Sequence, residues 1–309
     1  MSAQSDNDAA RVRAHSDAQS DNDAARVRAH SDAQPDNDAA RIRAHSGAQP
    51  DNDAANSDTP LDQWSDALHN AMLGLTHFNC ATVLSETDST QDVAAKSALG
   101  CVVTTGRQRA GRGRLGHLWA DTGHHGLAAT FVVQTQLPER LAMASAVATA
   151  TTLRSLVQHN VAARIGVKWP NDIVVARTGG EPQKIAGILI EGHGDRALVG
   201  IGINARQPTF EKSIAQRAMS LMQLGQPCDR LMVLIELTKQ LDHFLSASDR
   251  VIEEAYEKLD RTAGLRMKFL TPQGIVEGIV LRCDPAIGLM VQTAIGVRHL
   301  PSATTRVQP

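Results

Sequence analysis

This sequence has few cysteines, a small net charge and no long apolar run. Its four cysteines are far apart and include no Cys-x-x-Cys pair, which argues against a disulfide framework or a structural zinc site and fits a reducing cytoplasm. No stretch approaches the roughly 18 consecutive apolar residues that span a bilayer, and the N-terminal region holds no apolar signal segment. We therefore expect a soluble, cytoplasmic protein that is not secreted.

The charge balance and the length narrow the class of protein further. The 309 residues carry 31 Lys and Arg against 33 Asp and Glu, a net charge of −2, which argues against general binding of polyanions. At roughly 150 residues per domain the length predicts about two domains, and the 42% hydrophobic content suffices for a core. Wholly disordered and fibrous classes are therefore disfavoured.

The first 58 residues consist of a 15-residue repeat. The unit AQSDNDAARVRAHSD at 3–17 recurs at 18–32, changes slightly at 33–47 and then breaks off. Each unit offers only alanines and one Val or Ile as apolar side chains, which cannot offset the entropy lost on ordering, so we predict a disordered tail. Its 6 Arg and 11 Asp give 6 − 11 = −5, which would repel nucleic acid. The regularly spaced histidines follow from the duplication, and we predict no metal site.

From Leu61 onward, apolar strands alternate with helices, which predicts an α+β domain over 59–261. Strands are predicted at 101–105, 126–135, 184–192 and 197–205, and helices at 141–158, near 230–245 and at 249–260. After Gly264 the chain offers only short strand-like pieces separated by Gly and Pro turns. These pieces predict a small β-barrel, which we place in a second domain at 262–309.

The segment 107–119 concentrates arginine and glycine without an acidic residue. Its arginines are Arg107, Arg109, Arg112 and Arg114. Like charges this close repel each other, so we expect an anion to balance them. Glycine lets the backbone approach a ligand, and the planar guanidinium suits carboxylate or phosphate. By composition alone, a solvated basic loop or an Arg-Gly nucleic-acid segment fits as well.

Lysine is much rarer than arginine, yet two lysines each begin a segment beside a predicted strand. Lys168 begins KWPND and Lys184 begins KIAGILIEG. A compact ammonium at such an edge suits a phosphoryl oxygen. In GIGIN at 200–204 the two glycines flatten one face of a strand, which serves either backbone packing or a planar ligand.

Together these segments resemble the biotin–protein ligases, also called biotin–[acetyl-CoA-carboxylase] ligases. The resemblance covers about 78–309 and rests on five motifs in the family's order: DSTQ at 88–91, GRGR at 111–114 followed by Trp119, KWPND at 168–172, KIAGIL at 184–189 and GIN at 202–204. It implies a mixed-sheet catalytic domain of the biotin/lipoate ligase type, similar to class II synthetases, and a C-terminal SH3-like β-barrel.

The resemblance also implies a two-step reaction. The biotin carboxylate attacks the α-phosphate of ATP, which gives biotinyl-5′-AMP and pyrophosphate, and a lysine of the biotin carboxyl carrier protein of acetyl-CoA carboxylase then takes the biotinyl group. Mg²⁺ would accompany the phosphates. Lys184 would bridge the carboxylate and the α-phosphate.

The family's motifs assign roles to fourteen positions of this chain. The candidate catalytic residues are Lys184, Arg112 and Arg114. The candidate biotin-binding residues are Ser89, Thr90, Gln91, Gln108, Arg112, Gly113, Arg114, Lys184, Gly187 and Gly202. The candidate ATP-binding residues are Trp119, Lys168, Asn171 and Asn204.

Two positions depart from the family's pattern, since Gln91 replaces a common Asn and His117 a common Arg. Some members carry an N-terminal winged helix and act as repressors. Here the repeat tail occupies that place, so we expect no specific DNA binding. Two alternatives stay open: a lipoate–protein ligase or octanoyltransferase of the same fold, and a non-enzymatic RNA-associated protein.

Overall fold

The computed structural model describes residues 58–114, 118–121, 123–284, 287–302 and 304–308. The repeat units and His117 lie outside the described residues. No helix in the described part of the chain combines the length and hydrophobicity needed to cross a membrane.

In the described part of the chain, nine strands precede the C-terminal region. In chain order they are β1 (Cys80–Thr87), β2 (Cys101–Gln108), β3 (Gly111–Arg112), β4 (Leu118–Trp119), β5 (Gly126–Gln134), β6 (Ile165–Lys168), β7 (Asp172–Arg177), β8 (Gly180–His193) and β9 (Arg196–Asn204). Strands β3 and β4 form a two-stranded ribbon, and the others form one sheet in the order β1-β2-β5-β9-β8-β7-β6. Only β1 and β2 pair in parallel, so the sheet is mixed.

Among the described residues, six α-helices accompany this sheet. They are α1 (Trp64–Met72), α2 (Thr90–Ala94), α3 (Pro138–Ser155), α4 (His159–Ala162), α5 (Arg230–Ser246) and α6 (Asp249–Leu259). Helix α3 packs against α5 and α6, and together with α1 these helices cover the face that carries Phe131 and Ile201. Burial of these large apolar side chains supplies the main driving force for the layered fold.

The opposite face of the sheet is only partly covered, because α2 spans just five residues. Its residue Ala94 packs with Val132 of β5 and Leu198 of β9 in a small separate cluster. Side chains alternate along a strand, so Gly200 and Gly202 point to the same face as Leu198. Beyond the end of α2, that face is therefore lined by residues too small to fill it, which leaves space for a cavity.

A second, antiparallel sheet follows α6. Its strands are β10 (Arg266–Thr271), β11 (Gly274–Asp284), β12 (Gly288–Thr293), β13 (Gly296–Pro301) and β14 (Arg306–Val307), in the order β13-β12-β11-β10-β14. Phe269 of β10 makes an edge contact with Trp169 at 6.4 Å between ring centroids. The two sheets share one continuous hydrophobic core, which positions the C-terminal strands beside the KWPND segment.

The coarse prediction of a region of mixed strands and helices followed by a β-sheet region is confirmed, and the differences have local causes. Helix α3 begins at Pro138 rather than at 141, because proline suits the first turn of a helix. The segment 107–119, rich in arginine and glycine, contains the β3–β4 ribbon. Asp58, which the repeat pattern had placed in the tail, accepts hydrogen bonds from Arg230 and therefore belongs to the folded region.

Candidate active site

A cavity of about 290 Å³ opens on the partly covered face of the sheet. Every predicted site residue except Asn204 lines it: Ser89, Thr90, Gln91, Gln108, Arg112, Gly113, Arg114, Trp119, Lys168, Asn171, Lys184, Gly187 and Gly202. These residues come from six strands, one helix and the intervening segments. The fold thus brings five motifs that are far apart in the sequence into one site.

One end of the cavity is polar and uncharged. Gln108 Oε1 accepts hydrogen bonds from the backbone N–H of Thr90 at 2.9 Å and from its hydroxyl at 3.1 Å, which fixes both side chains. Ser89 Oγ and Gln91 Oε1 are buried without a hydrogen-bond partner among the described residues. Leaving a polar atom buried and unpaired costs about 1–3 kcal/mol. This end is therefore prepared to form hydrogen bonds with a ligand.

The floor of the cavity is formed by paired glycines beneath an indole. Gly187 of β8 and Gly202 of β9 are directly opposite each other in the sheet. A Cβ atom at Gly202 would lie 2.7 Å from Trp119 Cε2, and one at Gly187 would lie 2.9 Å from Trp119 Cζ3. The sequence left open either backbone packing or space for a planar ligand, and the group that the structure places against these glycines is a protein side chain, the indole of Trp119.

Lys184 lies beside this indole and is held by a carboxylate. Its Nζ is 2.6 Å from Asp172 Oδ1 and 5.3 Å from the centre of the Trp119 ring. Its backbone carbonyl accepts a hydrogen bond from Asn204 Nδ2 at 3.2 Å, and Asn204 Oδ1 accepts one from Gln207. Asn204 thus lies behind Lys184, outside the lining of the cavity, where its amide bonds the backbone.

Asn171 connects the KWPND segment to the arginine loop. Its Nδ2 donates to the carbonyl of Ile188 at 2.7 Å, which directs Oδ1 away from that strand. The same Oδ1 lies 3.5 Å from Arg114 Nη1. Burial lowers the pKa of Arg114 from its usual value, Asp172 opposes this effect, and the positive charge of Arg306 adds to it. The guanidinium nevertheless stays charged at neutral pH.

Three of the four loop arginines are balanced by carboxylates of the protein, which corrects the expectation that a bound anion balances them all. Arg107 pairs with Asp121 and Glu86, and Arg109 pairs with Glu86 and Asp88. The hydrogen bond between Arg107 and Asp121 lowers the pKa of that carboxyl. These acids lie on other segments, so the local composition of the loop did not reveal them.

Arg112 and Arg114 differ in whether a carboxylate of the protein pairs with them. Arg112 pairs with Asp92 at 2.8 Å and with Glu191 at 3.4 Å, and its hydrogen bond to Asp92 raises its pKa. For Arg114, no carboxylate of the described chain is within ion-pairing distance. Among the arginines of the loop, Arg114 is thus the one available to an anionic ligand.

Sequence reasoning gave no role to two charged residues of the cavity. Asp172 is the last residue of KWPND. The pairing of β7 with β8 sets it opposite Gly187, and its carboxylate reaches Lys184 from there. Arg306 comes from β14 and lines the cavity although it follows Lys184 by more than a hundred residues. Its local sequence contains no signal that would have indicated this position.

Comparisons with known proteins agree with this arrangement. The model of the biotin/lipoate A/B protein ligase family matches residues 82–207. The bifunctional ligase/repressor BirA of Bacillus subtilis (strain 168) is 26% identical over 235 residues, which are 72% of this chain and 71% of that protein. The biotin–[acetyl-CoA-carboxylase] ligase of Paracoccus denitrificans is 36% identical over 136 residues, 40% of this chain and 53% of that protein.

A solved structure extends the similarity to the C-terminal sheet. The biotin protein ligase from Aquifex aeolicus, in complex with biotin and ATP, superposes with a TM-score of 0.64 at 25% identity. The match covers 75% of this chain and 99% of that one. Fold, cavity and sequence similarity agree, and over residues 82–207 the chain is similar to the biotin/lipoate A/B protein ligase family.

Proposed function

We propose that this protein activates biotin with ATP to biotinyl-5′-AMP and transfers the biotinyl group to a lysine of the biotin carboxyl carrier protein of acetyl-CoA carboxylase. One observation carries the proposal: a single cavity has an uncharged polar end with two unpartnered buried atoms and an opposite region with several cations. A substrate with a neutral polar head and a carboxylate matches this distribution of charge.

The uncharged end suits the ureido head of biotin. A ureido group offers two N–H donors and one carbonyl acceptor. Gln91 Oε1 is free to accept an N–H, and Ser89 Oγ is free to donate to the carbonyl. Thr90 and Gln108 hold each other in place at the same end, as the family's motifs imply. The longer Gln91 side chain reaches the carbonyl of Leu189 with its Nε2, which leaves its Oε1 for the ligand.

The cationic region suits the reacting carboxylate and phosphates. Lys184 Nζ would bridge the biotin carboxylate and the α-phosphate, and Arg114 would hold the adenylate. Charge grows on the phosphoryl oxygens in the transition state, and an ammonium fixed beside them lowers the barrier. Gly113 lets the backbone between Arg112 and Arg114 approach the ligand closely. Arg112, paired with Asp92 and Glu191, would hold the loop across the cavity.

The nucleotide would extend toward Trp119, Lys168 and Asn171. Asn204 would not contact the nucleotide directly. It would support Lys184, because its side-chain amide donates a hydrogen bond to the Lys184 backbone carbonyl. Asp172 is the one carboxylate in the cavity lining within the described chain, and it is paired with Lys184. Mg²⁺ would therefore enter with ATP as part of the substrate, held mainly by the phosphates.

We further propose a catalytic domain at 59–261, an SH3-like barrel at 262–309 and a cytoplasmic location. The antiparallel β10–β14 sheet supports the barrel, and the four free cysteines fit a reducing compartment. The acidic tail disfavours specific nucleic-acid binding. A gel shift with genomic operator fragments at nanomolar protein tests that last expectation.

Exchange of labelled pyrophosphate into ATP tests the main proposal. We expect exchange that depends on biotin and falls about 10²–10³-fold in Lys184→Ala, because the mutation removes a transition-state contact. Lys239→Ala, at an exposed position of α5, is the matched control and should exchange like wild type. Exchange with lipoate or octanoate in place of biotin would assign the protein to the neighbouring activity. Absence of exchange with all three acids would overturn the enzymatic proposal.

A further inference from the structure

A second cavity of about 270 Å³ adjoins the first. The two share a wall of five residues: Arg114, Trp169, Pro170, Asn171 and Ile188. The wall thus includes the loop arginine that lacks a carboxylate partner and the asparagine that faces it. A group entering the second cavity would arrive directly beside the cationic region of the first.

Among the described residues, the far side of the second cavity is mostly apolar, with the hydroxyl of Ser302 and one acid. Pro138, Ala142 and Ile190 provide apolar surface, and Glu139 lies in the first turn of α3. Within the described chain, the Glu139 carboxylate has no ion pair or hydrogen bond. It is therefore available to a cation brought in from outside.

We propose that the second cavity admits the side chain of the acceptor lysine during transfer. This inference rests on the proposed function, and it adds the route by which the carrier protein reaches the activated acid. A lysine side chain combines a four-carbon apolar stem with a cationic head, and this combination matches the apolar walls and the lone carboxylate. The shared wall places the amine next to the acyl phosphate once the stem is inserted.

The charges of the two cavities favour the change in protonation that transfer requires. Glu139 attracts the ammonium form at the entrance, whereas Arg114 and Lys184 disfavour a positive charge further in. The lysine therefore releases one proton to solvent before it reacts. Its nitrogen then bonds to the carbonyl carbon of biotinyl-5′-AMP, the bond from that carbon to the phosphate oxygen breaks, and AMP leaves with the electron pair. The second proton of the amine is released to water.

An anion such as departing pyrophosphate is the alternative occupant. Arg114 would attract it, but the unpaired carboxylate of Glu139 would repel it. The lysine is the occupant that uses both the acid and the apolar walls. The two occupants predict opposite results when the cavity is altered, because pyrophosphate takes part only in the first half-reaction and the lysine only in the second.

Filling the cavity tests the route. Ala142→Trp adds bulk at a half-buried position that lines the second cavity and not the first. We expect biotin-dependent pyrophosphate exchange within twofold of wild type. Transfer to a purified carrier domain and to Nα-acetyl-lysine methylamide should fall at least tenfold. Unchanged transfer with normal exchange would overturn the inference and leave the proposed function intact.

Removing the acid tests the attraction independently, with a variant that adds no bulk. Glu139→Gln should raise the KM for Nα-acetyl-lysine methylamide several-fold, less so at high salt, with unchanged exchange. Glu253→Gln, at an exposed position of α6, should behave as wild type. If either cavity variant loses exchange while it remains folded, the cavity serves the first half-reaction and the lysine route is wrong. If wild type shows no exchange, the proposed function itself has failed.

Discussion

Lys184 and Asp172 form a 2.6 Å ion pair across two neighbouring strands of the sheet. Lys184 is on β8, and Asp172 begins β7 directly after the turn that contains Pro170. Both side chains are partly exposed, at 35% and 31%, so the pair adds little to stability. We infer that its main effect is to fix where the ammonium lies in the cavity.

Asp172→Asn should therefore impair activation more than stability. The amide keeps the size of the side chain but loses the charge that orients Lys184, and we expect exchange to fall about tenfold with a small change in Tm. The separate variant Lys184→Arg should also exchange more slowly than wild type, because a guanidinium cannot occupy the position of the ammonium. Asp195→Asn, on a side chain that is 87% exposed, is the control. Wild-type exchange in Asp172→Asn would show that Lys184 needs no such positioning.

A methyl group at the floor of the cavity should disturb ligand binding. In Gly202→Ala the new Cβ would approach Trp119 to 2.7 Å, so the indole must move away from the strand. We expect biotin affinity to fall at least tenfold, as measured by calorimetric titration. Gly192→Ala in β8 is a matched control, because no atom lies within 4 Å of its added Cβ. Equal affinity in both variants would show that the indole position does not matter for biotin.

The sequence predicted the composition of the site better than its internal contacts. Gly187 and Gly202 belong to two separate motifs, KIAGIL and GIN, and both contact the same indole. The order of the motifs sufficed to group them, because strands of one sheet bring their residues together. It did not show that Asn204 faces the backbone of Lys184, because that depends on which way one amide points at the end of β9.

The ion-pair partners of charged residues were harder to predict from the sequence than the location of the glycines in the site. Arg112 pairs with Glu191, 79 positions away, and no local pattern relates these residues. Such pairs depend on the register of the strands and on the approach of α2, which are properties of the whole fold. For the same reason the sequence of the loop indicated an excess of positive charge, whereas in the folded protein carboxylates from other segments neutralise most of it.

Arg306 should contribute to binding ATP rather than biotin. It lines the cavity from β14, and its charge lowers the pKa of Arg114, so an anion between the two would relieve their repulsion. We expect Arg306→Gln to raise the KM for ATP about five- to tenfold while the Kd for biotin stays within twofold. Arg298→Gln on β13 should change neither constant. A shift in biotin affinity alone would place Arg306 at the other end of the cavity.

Asp58, the first residue that the structure describes, forms an N-terminal boundary of the contacts around α5. Its carboxylate accepts hydrogen bonds from the backbone N–H of Arg230 at 3.0 Å and from Arg230 Nε at 2.5 Å. Arg230 is buried, and its Nη1 donates to the carbonyls of Gly106 and Gly126, both at 3.0 Å. Asp58 thus neutralises a buried guanidinium that joins α5 to two strands of the main sheet.

Two truncations that differ by one residue test this boundary. Removing 1–57 should leave Tm and exchange unchanged, because the repeat units carry too few apolar side chains to contribute to a core. Removing 1–58, or the single change Asp58→Asn, leaves the buried charge of Arg230 without its partner, at a cost of about 3 kcal/mol. For a domain of this size that cost corresponds to a fall in Tm of about 5–10 °C. If both truncations melt at the same temperature, the pair between Asp58 and Arg230 does not stabilise the fold. If removal of 1–57 alone abolishes exchange, the repeat units take part in the reaction.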